Sequence, residues 1–403
     1  MNKKRLIPKR VAMLITSSVF LIISLLFATG SLILNRSTEN HNESSGENSL
    51  NTISKESSVV ESSVSSMEEL ESSIESEQEP EEIEPNHEYV INEYGYTFVY
   101  GDSGYEQFSY GTDAFNRYVK GLNSVSSHFN DETPIYNIIA PISSTFATSS
   151  IPKDIRNQHK YSNKSQGTFV SNVGDAVEDR VNNISIIEEI SERYDQGDYL
   201  FFRTDKNWTP SASYTAYTAF CENAGLIPYD ISNFPAVEVG DYLGWFHFAT
   251  KNQDMASNPD QFLYYSNLPS VKVALKVYGG YDVSDNVAFC DNDIDVNTAY
   301  DVFVGTTTAG RYEITTTATG GNLLIVGDSS VLPMLPFLAS HYEIIDVINP
   351  MYFNKTLSEL LANRTYDEVL TMCYSTSAIA GDYTPAFNSF FENKTEEVPS
   401  VNE

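Results

Sequence analysis

Cysteine and basic residues are what this chain has least of. Its three cysteines, Cys221, Cys290 and Cys373, are odd in number and give no disulfide framework. They form no Cys-x-x-Cys pair and share no ligand spacing with histidine, so neither a structural zinc nor any other metal or cofactor is expected. Cys221 and Cys373 sit in apolar contexts and read as buried thiols. Lys and Arg total 24 against 55 Asp and Glu, a formal net charge of −31. Phosphate backbones demand Lys and Arg, which excludes nucleic acid as a partner. The acidic balance itself speaks to solubility and names no ligand.

Long apolar runs are equally scarce. The stretch Val11–Leu34 carries no charge and follows Lys3, Lys4, Arg5, Lys9 and Arg10. As a helix it would span about 36 Å, enough to cross a hydrocarbon core. The basic flank predicts a cytoplasmic N-terminus over residues 1–10, a transmembrane signal anchor over 11–34, and an extracytoplasmic remainder. A cleaved signal peptide is the rival reading, with Ala28-Thr29-Gly30 as a small-residue cleavage site; the chain would then be secreted. Residues 35–88 are Ser-, Asn- and Glu-rich, with too few apolar side chains to offset the entropy of ordering, and read as a disordered, self-repelling linker. From Tyr89 the composition turns aromatic and apolar, which places one folded domain over 89–395 and a flexible tail over 396–403.

Strands and helices alternate in that domain. Phe98-Val99-Tyr100 reads as a strand before a Gly101-Asp102 turn. Thr112 or Asp113 caps a helix with Phe115, Tyr118, Val119 and Leu122 on one face. Ile135–Ala140, Leu323–Val326, Ile344–Val347 and Val369–Cys373 read as buried strands, and Tyr199–Phe202 as a short one. Thr209 followed by Pro210 starts a helix that stops at Gly225, and Val331–Ser340 reads as another. The expected class is α/β, a parallel sheet flanked by helices. Residues 252–317, rich in Val, Tyr and Thr, read as a β-rich insertion or subdomain.

Gly327-Asp328-Ser329 follows a predicted strand directly and precedes a predicted helix. A serine on such a turn projects beyond the carboxyl edge of a parallel sheet, and backbone N–H groups there can face a developing oxyanion. The other Gly-Asp-Ser, Gly101-Asp102-Ser103, lacks that frame and reads as a turn. A serine nucleophile needs a base, ordinarily a histidine oriented by a carboxylate. Of the six histidines, His41 and His87 lie in or at the end of the linker, and His159 in a polar stretch. His128 falls at a helix end and His341 reads as a helix C-terminal cap. His247, within Gly244-Trp245-Phe246-His247-Phe248, reads first as a packing histidine.

The stretch Tyr199-Leu200-Phe201-Phe202-Arg203-Thr204-Asp205-Lys206-Asn207-Trp208-Thr209-Pro210 resembles the signature of the DHHW family of bacterial exported proteins. The segments Tyr100–Tyr110, Ile135–Pro141 and Leu324–Ser329, with Pro336-Phe337-Leu338 and His341-Tyr342 after the last, resemble further parts of it in order. That family is similar to alginate O-acetylation proteins. The resemblance implies an SGNH-hydrolase-like fold with Ser329 as nucleophile and Asp205 orienting a base. Arg203, Trp208, Asp328, Trp245 and His247 are the candidate binding residues. As partners the resemblance implies a cell-envelope polysaccharide and a membrane-bound O-acyltransferase. The base position holds Asn207, preceded by Lys206 where the family's first His stands. Asparagine has no basic nitrogen, and the neighbouring Asp205 favours the charged form of Lys206. The expectation is an accessory or binding protein in envelope glycan modification with a degenerate serine site. The alternatives are an active O-acetyltransferase or esterase using an unusual base such as His247, and a structural surface protein. The 26 Tyr and 22 Phe supply either sugar platforms or a large aromatic core.

Overall fold

The computed structural model describes residues 87–392 apart from 93–94, 159–162, 280–281 and 287–295. The expected anchor, most of the linker and the C-terminal tail lie outside the described residues, as do His41, His159, Cys290 and the side chain of His87. Among the described residues no helix is long and apolar enough to cross a membrane.

In chain order the strands are β1 (His87–Asn92), β2 (Gly95–Tyr100), β3 (Ser103–Glu106), β4 (Ile135–Ala140), β5 (Val181–Ile184), β6 (Ala236–Tyr242), β7 (Asp260–Tyr265), β8 (Val273–Gly279), β9 (Asp282–Asn286), β10 (Arg311–Thr316), β11 (Asn322–Gly327), β12 (Ile344–Ile348) and β13 (Glu368–Tyr374). The helices that matter here are α1 (Thr112–Ser126), α2 (Pro210–Asn223), α3 (Trp245–Thr250) and α4 (Tyr383–Phe391).

An eight-stranded sheet runs β5-β4-β13-β11-β12-β10-β8-β9. The first five strands pair in parallel and the last three are antiparallel additions. Leu323, Leu324, Ile325 and Val326 of β11 are all fully buried, as a central parallel strand covered on both faces requires. Strand alternation shows the two covers directly. Tyr136 of β4 packs its ring on Phe220 of α2, while the next residue, Asn137, accepts a hydrogen bond from Tyr118 of α1 at 2.9 Å on the other face. The Tyr118 ring lies 5.9 Å from that of Phe387 in α4, which completes the second cover.

Several elements differ from the sequence expectation. The β-rich segment is no separate subdomain: β8 and β10 hydrogen-bond into the main sheet, and β7 pairs with β6 in a two-stranded ribbon. The helix expected over Val331–Ser340 is a 3-10 helix, Ser329–Met334, followed by one α turn, Leu335–Leu338. Pro333 and Pro336 remove the backbone donors a longer α-helix needs there. Tyr199–Phe202 forms no strand beyond a bridge between Phe201 and Trp208. The cap of α1 is Gly111, with no side-chain hydrogen bond. Thr209 does cap α2, accepting from Ala212 N, and Gly101-Asp102 does form the two-residue turn between β2 and β3. Cys221 and Cys373 are buried free thiols.

Candidate active site

The site begins with a glycine that nothing larger could replace. A Cβ on Gly327 would lie 2.2 Å from the carbonyl oxygen of Met372, so the end of β11 presses against β13. Asp328 then turns the chain. One of its carboxylate oxygens accepts from Ser330 N at 2.9 Å and caps the 3-10 helix; the other accepts from Tyr374 N at 3.0 Å. Both oxygens are thereby committed to backbone. The half-buried Ser329 between them faces a cleft of about 250 Å³ at the carboxyl edge of the sheet.

The signature loop closes over this edge through the Phe201–Trp208 bridge and is hung from buried Asp260. That carboxylate accepts from Thr204 N at 2.8 Å and from Thr204 Oγ1 at 2.7 Å. Arg203 pairs with Asp102 and with Asp260, and donates to the carbonyls of Asn258 and Pro259 at 3.1 Å each. It does not line the Ser329 cleft. Trp208 is 0% exposed; its indole N–H donates to Ser330 O and its backbone N–H to the Tyr374 hydroxyl, both at 3.1 Å. Arg203 and Trp208 thus fix the loop; Trp208 is sealed from solvent, and Arg203 borders a separate depression beside Tyr105 and Tyr199.

Asp205 is buried and held by three hydrogen bonds. It accepts from Asn207 N at 2.7 Å, from the Tyr242 hydroxyl at 2.8 Å and from Trp245 N at 2.6 Å. Burial, with the Asp205 charge next in effect, holds Tyr242 well above the usual phenol range, so its hydroxyl remains a donor. Gly244 is the second obligatory glycine: its Cβ would stand 2.2 Å from that of Asp205. Beyond Asp205, Asn207 reaches the serine. Ser329 Oγ donates to Asn207 Oδ1 at 3.2 Å. The serine therefore has a hydrogen-bond acceptor but no base in the position the signature provides.

No described histidine lines the Ser329 cleft. His247, on α3, borders an adjoining depression and is held below its ordinary pKa by burial and then by Lys251. Trp245 borders the same depression, with Lys206 Nζ 5.4 Å from its ring centroid. His341 shares a hydrogen bond with the Tyr217 hydroxyl at 2.8 Å, and His128 one with Phe391 O at 2.6 Å. These two are packing residues; His341 is not a helix cap.

Two cleft residues escaped the sequence reading. Asn349 follows β12 at the same sheet edge; its Oδ1 accepts from Met351 N at 3.1 Å, which leaves Nδ2 as its donor. An asparagine directly after a buried strand was the available signal. Glu106 ends β3, is 7% exposed and lines the cleft beside Lys206 and Asn207. Its signal was an acidic residue following Tyr105 in an otherwise aromatic stretch. Burial pushes the Glu106 carboxyl up to about 7, against the lowering effect of Lys206 and with a further push from Asp205.

That shift has a measurable sign. An unfolded glutamate ionises near 4.5, so between there and about pH 7 the folded chain holds an extra proton. The stability contribution is whole below about 4.5 and is lost as pH rises through about 7. Glu106→Gln is therefore expected to gain on the wild type by roughly 2–3 kcal/mol between pH 5 and pH 8 in chemical denaturation. A stability difference that stays constant across that range would show the carboxyl to be unperturbed.

A mostly parallel sheet flanked by helices, with Ser329 at its carboxyl edge, defines a mixed α/β domain. The chain belongs to the DHHW protein family, which it matches over residues 33–348. In solved structures the fold is similar to that of a DHHW family protein from Eubacterium siraeum, with TM-score 0.63 and 21% identity over 74% of this chain and 96% of that one. It is similar also to Bacillus cereus PatB1, solved with a sulfonyl adduct: TM-score 0.56 and 13% identity over 72% of this chain and 96% of that one. No curated protein matches the chain. The four letters of the family name read Asp205-Lys206-Asn207-Trp208 here.

Proposed function

We propose that this protein binds a cell-envelope polysaccharide as an accessory in O-acetylation-type modification, held outside the membrane by its N-terminal segment, with a serine site that has lost its base. The observation that carries the reading is the 3.2 Å hydrogen bond from Ser329 Oγ to the amide oxygen of Asn207. Supporting it are Ser329 on its turn and Asp205 held by Tyr242 and Trp245, with Asn207 where the signature places a base. The family's resemblance to alginate O-acetylation proteins supports a glycan ligand, as does a cleft that sets tyrosine rings among many hydrogen-bonding side chains. The apolar, uncharged run after a basic N-terminus supports the anchor.

The test uses the full-length protein with isolated envelope polysaccharide and a serine-reactive sulfonyl fluoride. Binding is expected to survive Ser329→Ala within about twofold, because the hydroxyl is one small group in a large cleft. Ser329 is expected to stay unlabelled under conditions that label Asn207→His. Absence of polysaccharide binding would refute the binding role, and labelling of wild-type Ser329 would refute the lost base.

One observation favours a second reading, an active esterase or acetyltransferase. Glu106 lines the Ser329 cleft with its carboxyl pushed up to about 7, where a general base is most effective. On that reading wild-type Ser329 labels, and Glu106→Gln abolishes the labelling.

A further inference from the structure

The Ser329 cleft shares lining residues with two further depressions. It shares Lys206, Asn207, Tyr300 and Thr307 with one of about 520 Å³ walled by Trp245, Phe248 and Lys251. It shares Tyr352 with another of about 370 Å³ walled by Tyr278, Arg311 and Arg364. Each outer depression alone is the size of a small-molecule site, so together with the central cleft they exceed what one sugar ring would fill.

Aromatic faces mark the path. Phe248 is 72% exposed and Tyr352 50% exposed. Trp245 and Phe248 stand three residues apart on α3 and so share a face. Tyr352 is held on a rigid shelf: Asn349 accepts backbone N–H bonds from Tyr352 and Phe353 at 3.1 and 3.0 Å. A Cβ on Gly310 would lie 2.7 Å from Tyr352 O, so the residue that leads into β10 backs that shelf closely.

The polar groups are fixed in advance. Arg311 Nε lies 2.7 Å from Asp346, and Arg364 lies 2.9 Å from the same fully buried carboxylate. Both guanidinium groups also reach Glu313, at 2.7 and 3.2 Å. Planar groups held this way lose little freedom when a ligand hydroxyl arrives. Carboxylates accompany the cations along the whole path: Glu313 beside Arg311, Glu106 and Asp328 at the centre, Asp205 and Asp301 beyond. The depression beside Tyr352 sets Arg311, Lys355 and Arg364 against Glu313 and Glu359, whereas at the centre Asp328 and Asp382 outnumber Lys206, so a polyanion would meet repulsion beside Ser329 and an uncharged polyhydroxyl chain would not.

We infer that the three depressions form one groove that holds several consecutive residues of a linear, uncharged polysaccharide, with Ser329 at its middle and Tyr352 and the Trp245–Phe248 pair as stacking platforms on either side. This rests on the glycan-binding reading above and adds the length and charge of the ligand.

The test is calorimetric titration of the full-length protein with β-1,4-linked N-acetylglucosamine oligomers of two to six residues and with anionic uronic-acid oligomers of the same lengths. Affinity for the uncharged series is expected to rise to at least the tetramer and to exceed that for the anionic series. Tyr352→Ala and Phe248→Ala are each expected to weaken hexamer binding about 2–10-fold, and Tyr352→Phe is expected to restore it. Affinity that does not change with length, or no oligomer binding while isolated envelope polysaccharide still binds, overturns the groove but spares the binding role. Preference for the anionic series overturns the assignment of charge. Failure of both oligomers and envelope polysaccharide to bind removes the underlying reading itself.

Discussion

Asn207→His is expected to raise acetyl-ester turnover by about 10²–10⁴ over the wild type, the usual worth of a positioned general base. The local frame for the base is already present. Asn207 sits within hydrogen-bond distance of Ser329 Oγ, and Asp205 is locked in place by Tyr242 and Trp245 beside it. An imidazole at 207 would find a hydroxyl to deprotonate and a carboxylate nearby to stabilise its charged form. The cleft is open at this point, so the larger ring has somewhere to go. Hydrolysis of a chromogenic acetyl ester measures the gain, and Asn207→His combined with Ser329→Ala should show none. No gain from the single substitution would mean that the loop no longer holds position 207 as a catalytic base requires. Wild-type turnover lost in Ser329→Ala would mean that a base is already present, and Glu106→Gln would be the next variant to assay.

The second large effect is on stability. Trp208→Ala is expected to cost about 3–5 kcal/mol in urea unfolding, the range for emptying a large, fully buried aromatic site. The loss has two parts. The first is a cavity beside Tyr374, whose ring packs edge-on to the indole at 5.9 Å. The second is the carbonyl of Ser330, which loses its indole donor in the turn that presents Ser329. Trp208→Phe should keep much of the packing and lose chiefly the hydrogen bond, for about 1–3 kcal/mol. A loss below about 1 kcal/mol for the alanine variant would contradict the assignment of Trp208 as the pin between the signature loop and the serine turn. The family's tryptophan, on this account, is kept for the loop and not for the ligand.

The chain's own order of residues determined a good deal. The short, largely apolar runs at Ile135–Ala140, Leu323–Val326 and Val369–Cys373 read as strands buried on two faces, and such strands at a parallel sheet's centre put Ser329 at its carboxyl edge. The absence of an imidazole at 207 was equally plain, because it is a statement about one residue's chemistry. Tertiary structure alone decided what lies far apart in sequence. Glu106 enters the cleft from β3, more than two hundred residues before Ser329, and its raised pKa comes from the burial that folding imposes. Only the fold brings Asp102 and Asp260 onto Arg203 and places His247, on α3, in the depression next to the Ser329 cleft. Periodicity and composition report which face of an element is apolar; they carry no information on which distant side chain will meet it, since that depends on how the sheet is ordered.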